Sequence, residues 1–192
     1  MKSYPGIPDG YELKYNLDLL KNRSAFLILN VLSIVVIIPF LFGIALFDFG
    51  SLDTFTVFFI LPLFLVVIII HEWIHGFFFH RYSGAKVKYQ FHGWAFSAST
   101  PGIVYLKKYY YIIGLAPAVI LNLLLIIGSV FLPAPYDLLS YFVLICHVSG
   151  CAGDFYVTFS ILKYPKETYI EDTGTGMKFY VKSEPQPFES FD

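Results

Sequence analysis

The chain of 192 residues is 57% hydrophobic and 20% aromatic, with 14% charged residues and a net charge of −1. Its mean hydropathy is +0.66, and a charged share well below the ~25% of soluble domains points to a membrane protein. The near-neutral charge argues against a nucleic-acid partner, and the length suits one domain.

Residues 1–24 are polar and lysine-bearing and read as a cytoplasmic N-terminal segment. The first apolar run begins near Ala25, too late and too long for a cleaved signal peptide. About 20 apolar residues cross a bilayer core as a helix, and four stretches qualify: Ala25–Phe47, Thr54–His80, Tyr110–Leu132 and Asp137–Leu162. Pro39, Pro62 and Pro117 fall inside them and predict kinks that packed neighbours tolerate.

Between the second and third spans, residues 82–108 alternate in KVKYQFHGWAF and carry glycines and a proline, which predicts short strands or a hairpin. Residues 163–192 form a polar tail in which TYIED and MKFYV flank TGTG, a second hairpin, before a disordered SEPQPFESFD. Cys146 and Cys151 lie in apolar sequence, so no disulfide framework is expected.

The thirteen Lys/Arg residues fall before the first span, between the second and third, or after the fourth. The positive-inside rule therefore puts both termini in the cytoplasm of a cell membrane. The predicted fold is an α-helical integral membrane protein, with four transmembrane helices in residues 25–162 and short cytoplasmic β-hairpin segments.

The second span carries HEWIH. On a helix His71 and His75 are one turn apart on one face and can bind one metal ion, with Glu72 beside them to reach a water. Zinc lowers the pKa of such a water to about 7, and a glutamate can take its proton and return it to a leaving amine. Chance gives this pattern in roughly four of a thousand chains of this composition. An ionisable group within a membrane span is itself a sign of function.

Such a site needs a third protein ligand. Asp154 is the acidic residue well inside a later span. Counted back from Arg81 and Lys163 at 1.5 Å per residue, His71, His75 and Asp154 lie about 15, 9 and 14 Å deep, one shared level. Ser149, Gly150, Cys151, Ala152 and Gly153 are small enough to let that helix approach closely. The alternative for Asp154 is an interhelical hydrogen bond.

His147 counts to about 24 Å, too deep to be a ligand. It reads first as an interhelical polar residue and second as a group behind a ligand or in a substrate cavity. Asn122 either bonds substrate backbone or joins helices. Cys151 reads as a buried thiol rather than a soft ligand, and His80 and His92 as surface histidines at the water boundary.

With HEWIH on one span and an aspartate on a later one, the chain resembles intramembrane zinc metalloproteases of the site-2 protease type. It resembles more closely the small bacterial four-span "putative zincin peptidase" family. The likeness extends over HEWIHGFFF, the strand-like segment, the proline-containing third span, GCAGDFYV and DTGTGMKFYV. It implies a zinc cofactor, His71, His75 and Asp154 as ligands, and Glu72 as catalytic base. It also implies a membrane protein or peptide substrate met at the lipid bilayer. In site-2 proteases a proline and an asparagine about three residues apart orient substrate, whereas Pro117 and Asn122 are five apart. The competing readings are a catalytically inactive metalloprotease-like regulator or scaffold, a haem or redox membrane protein, and a metal transporter.

Overall fold

The computed structural model describes residues 2–19, 22–93 and 96–183. The disordered end expected for SEPQPFESFD lies, from residue 184 onward, outside them.

Strands β1 (Ser3–Pro5) and β2 (Tyr11–Asp18) come first, followed by helix α1 (Arg23–Gly43) and helix α2 (Thr54–Ser83). Strands β3 (Lys88–Phe91), β4 (Phe96–Ser99) and β5 (Ile103–Leu106) then lead into α3 (Lys107–Phe131). Helices α4 (Tyr136–Gly150) and α5 (Ala152–Leu162) precede strands β6 (Tyr169–Asp172) and β7 (Gly176–Lys182).

Local chemistry sets the helix ends. The Asn22 side chain accepts from the Ala25 N–H at 3.1 Å to start α1, and Asp53 accepts from Thr56 at 2.6 Å to start α2. α2 stops at Gly84, whose φ of 70° lets its N–H return to the His80 carbonyl. Lys107 donates to the Leu162 and Tyr164 carbonyls at 3.2 and 2.5 Å, placing a cation at the end of α5.

This architecture corrects the expectation of a helical four-span protein with short hairpins. Among the described residues the protein is mixed α/β, with five α-helices and a five-stranded antiparallel sheet in the order β1-β5-β6-β7-β2. TYIED and MKFYV do pair with each other, Ile170 opposite Phe179, but as inner strands of that sheet. Its edges come from the N-terminal segment, which had been left without structure: β1 pairs with β5 and β2 with β7. In β2, YELKYNLD alternates Tyr11, Leu13, Tyr15 and Leu17 with polar residues, a strand pattern that its charged, lysine-bearing setting obscured, and only Leu17 is buried. Its pairing is decided by a partner more than 150 residues away.

The KVKYQFHGWAF stretch supplies β3 and the first residue of β4, which form a separate pair with Tyr89 opposite Ala98. The expected fourth span is two helices bent by 41° at the Gly150–Ala152 junction. Gly150 and Gly153 flank the break, and glycine is the weakest helix former after proline. α1, α2 and α3 are each long and apolar enough to cross a membrane, and the bent α4–α5 pair would be a fourth if counted as one span.

α1 and α3 start, and α2 and α5 end, at the side where the chain enters or leaves a β-strand, so the sheet caps one end of the helices. A core of Leu17, Phe79, Tyr105, Ile113, Ile161, Ile170 and Phe179 fastens it there. A second cluster, Val67, Ile74, Ala116, Leu121 and Val143, ties α2 to α3 and α4.

Candidate metal centre

The HEWIH stretch lies in the C-terminal half of α2, and its two histidines turn inward from one face, both buried. Asp154 stands in the first turn of α5, just past the bend. His71 Nε2 and His75 Nε2 are 3.1 Å apart. Asp154 Oδ2 is 3.2 Å from the first and Oδ1 is 3.3 Å from the second.

These separations can be tested against zinc. Ligands at 2.0–2.1 Å around a tetrahedral ion stand about 3.3–3.4 Å apart. The three observed distances lie within a few tenths of an ångström of that. The chemistry of the donors agrees. His75 Nδ1 is 2.8 Å from the Ile113 carbonyl, so Nδ1 carries the proton and Nε2 presents a lone pair. Two imidazole nitrogens and a carboxylate converging at this spacing suit a divalent cation.

A second donor group, His71, His147 and Cys151, also lies within ligand range. His147 and Cys151 are 2% and 0% exposed, so this group has no open face for a reacting molecule. The first group borders a cavity of about 800 Å³, whose wall includes His71, Glu72, His75 and Asp154.

Glu72 is half-buried beside the two histidines, and the Ala98 N–H of β4 faces its carboxylate. Gly76, one residue past HEWIH, allows close approach of β3: a Cβ there would meet the Tyr89 hydroxyl. The opposite wall is α1, with Phe26, Asn30 and Ser33.

The structure brings together His71, Glu72, His75 and Asp154, and it moves three other residues. His147, counted as too deep, has Nε2 only 3.0 Å from His71 Nδ1. The depth count assumed a straight helix, whereas the bend tips the α4 end toward α2, and two imidazoles span the rest. Asn122 does not line the cavity; its Oδ1 is 2.6 Å from His147 Nδ1. His92 lines the cavity beside Ser97, its Nε2 2.9 Å from the Ser97 hydroxyl, whereas His80 is exposed against the Ala85 carbonyl.

One carboxylate escaped the sequence reading. Asp172, at the end of β6, also lines the cavity and accepts from Tyr110 at 2.5 Å and from the Gly174 N–H at 2.8 Å. Enclosure pushes its carboxyl up from the usual 3.8 despite those two bonds. In sequence it is one acid of a polar tail; only the register of β6 brings it under α3.

The family model described as "Putative zincin peptidase" matches residues 64–169, a stretch holding HEWIH, Asn122, His147 and Asp154. The chain belongs to that family. Membership of the zincin peptidases carries with it a metallopeptidase activity and zinc as the metal. No curated protein and no solved structure matches the chain significantly.

Proposed function

We propose that this zincin-family chain is a membrane-embedded peptidase that hydrolyses peptide bonds of membrane or membrane-adjacent proteins. The observation that carries the reading is the shared cavity: three donors at tetrahedral spacing and a glutamate border one space that a peptide can enter.

His71 Nε2, His75 Nε2 and a carboxylate oxygen of Asp154 would hold the zinc, which when bound acidifies water and polarises a carbonyl. Glu72 takes the proton of the attacking water on its carboxylate and delivers it to the departing amine nitrogen. The Ala98 N–H holds that carboxylate in place. His75 is kept in its ligating tautomer by the Ile113 carbonyl.

A substrate must be extended at the scissile bond, since a helix hides its carbonyls. Phe96, Ser97 and Ala98 line the cavity, so the edge to be paired is β4. α1, α2 and α3 carry exposed apolar side chains along their length, such as Leu27, Val31, Phe58, Leu61 and Leu123, which suit lipid. With the basic residues gathered at the sheet end, both termini are cytoplasmic.

The test is cleavage of a membrane-anchored peptide by purified protein in liposomes, wild type against Glu72→Gln, with zinc content measured in both. A large loss of turnover with zinc retained is expected. Equal turnover would dismiss the peptidase mechanism in favour of a regulatory or scaffolding protein. A C-terminal fluorescent reporter that fails to light in the cytoplasm would overturn the orientation.

A further inference from the structure

We infer that His147 and Asn122 are positioning residues that fix the tautomer of His71 through a directed hydrogen-bond relay, and that neither binds substrate. The inference rests on the zinc-peptidase reading above. It starts from two short contacts, His71 Nδ1 to His147 Nε2 at 3.0 Å and His147 Nδ1 to Asn122 Oδ1 at 2.6 Å. The relay links α2, α4 and α3 behind the metal ligands, away from the cavity.

Neutral imidazole carries one proton, so such a relay has only two polarities. In the first, His71 Nδ1–H donates to His147 Nε2, and His147 Nδ1–H donates to Asn122 Oδ1. His71 Nε2 is then a free lone pair aimed at Asp154 and His75. In the second, every proton runs the other way: the asparagine amide donates, His147 Nε2–H donates to His71 Nδ1, and His71 Nε2 is protonated and cannot ligate. The two ends of the relay are thus coupled, although Asn122 lies two residues away from the ligand. An oxygen of Asn122 facing His147 is the arrangement that leaves His71 Nε2 available.

The enclosure of the relay keeps water from supplying an alternative partner. His147 is 2% exposed and His71 9%. Cys151 Sγ is 3.8 Å from both nitrogens of His147, and a thiol is a weak hydrogen-bonding group beside Asn122 at 2.6 Å and His71 at 3.0 Å. His75 needs no such relay because a backbone carbonyl does the same work for it. The two histidines of HEWIH are therefore oriented by different means, one by main chain and one by two side chains from other helices.

The experiment compares zinc affinity, by chelator competition, in wild type, His147→Leu, Asn122→Leu and Asn122→Asp. The leucine variants should bind zinc about 10–100-fold more weakly. Their kcat should fall without a rise in KM. Asn122→Asp, which can only accept, should keep wild-type affinity. Histidine-labelled ¹⁵N NMR of the zinc-loaded wild type, which needs no variant to fold, should show both His71 and His147 protonated at Nδ1.

A His147 protonated at Nε2 overturns the relay. So does an Asn122→Leu that raises KM with zinc affinity unchanged, the mark of a substrate contact. A Cys151→Ser that weakens zinc as much as His75→Ala would move the metal to the His71, His147 and Cys151 group and overturn it as well. Failure of the wild type itself to bind zinc would instead remove the peptidase reading.

Discussion

Replacing Asp154 by alanine removes the one donor that α5 brings to the two histidines of α2. Its oxygens stand 3.2 and 3.3 Å from His71 and His75, the spacing of neighbouring ligands, so its loss opens one side of the site. A four-ligand zinc site binds with about 10–16 kcal/mol. An even share is about 2.5–4 kcal/mol per ligand, which at 1.4 kcal/mol per tenfold is about 10²–10³ in Kd. Asp154 also stands in the first turn of α5, where a carboxylate stabilises the helix by about 0.3–1 kcal/mol. Folding of the metal-free protein should therefore change little while zinc affinity drops steeply. Chelator competition reads the first quantity and thermal unfolding in detergent, without metal, reads the second. An Asp154→Ala chain that holds zinc as tightly as wild type would refute the three-donor site.

Three further outcomes follow from the packing around the site. Gly76→Ala should push the Tyr89 hydroxyl and ring away and shift β3–β4, raising KM; adding Tyr89→Ala, which removes the ring, should restore it, and no recovery would disconnect the hairpin from substrate binding. Gly176→Ala places a Cβ against the backbone carbonyl of Leu17, which cannot move without parting β2 from β7, so a loss of about 1–3 kcal/mol is expected in thermal unfolding. An unchanged unfolding temperature would count against the β2–β7 register. The Glu171 carboxyl is partly buried, which raises its pKa. Bonds from the Gly102 N–H, the Tyr180 hydroxyl and Lys178 outweigh this and hold it below 4.5. Its stabilisation is present above pH 4.5 and lost as pH falls through the lowered value, so Glu171→Gln should flatten the acid limb of a stability–pH curve. A limb as steep as that of wild type would show that the clamp between β6 and its neighbours contributes nothing.

HEWIH could be read without coordinates because its meaning is local: one helical turn separates the two imidazoles whatever surrounds them. Asp154 was within reach for a related reason, since counting rise along two helices compares depths without knowing how they pack. The same count misplaced His147, because a bend between Gly150 and Ala152 is not additive along a straight axis.

The amino-acid order by itself determined the apolar helices, the histidine pair with its glutamate, and the crowding of positive charge at one end. Tertiary structure alone decided that the N-terminal strands close both edges of a sheet. It also decided that Asp172 reaches the cavity and that Asn122 stands against His147. The reason lies in range: helix periodicity and composition act over a few residues. Strand register and interhelical hydrogen bonds depend on partners dozens of residues away, whose approach is settled only when the whole core packs.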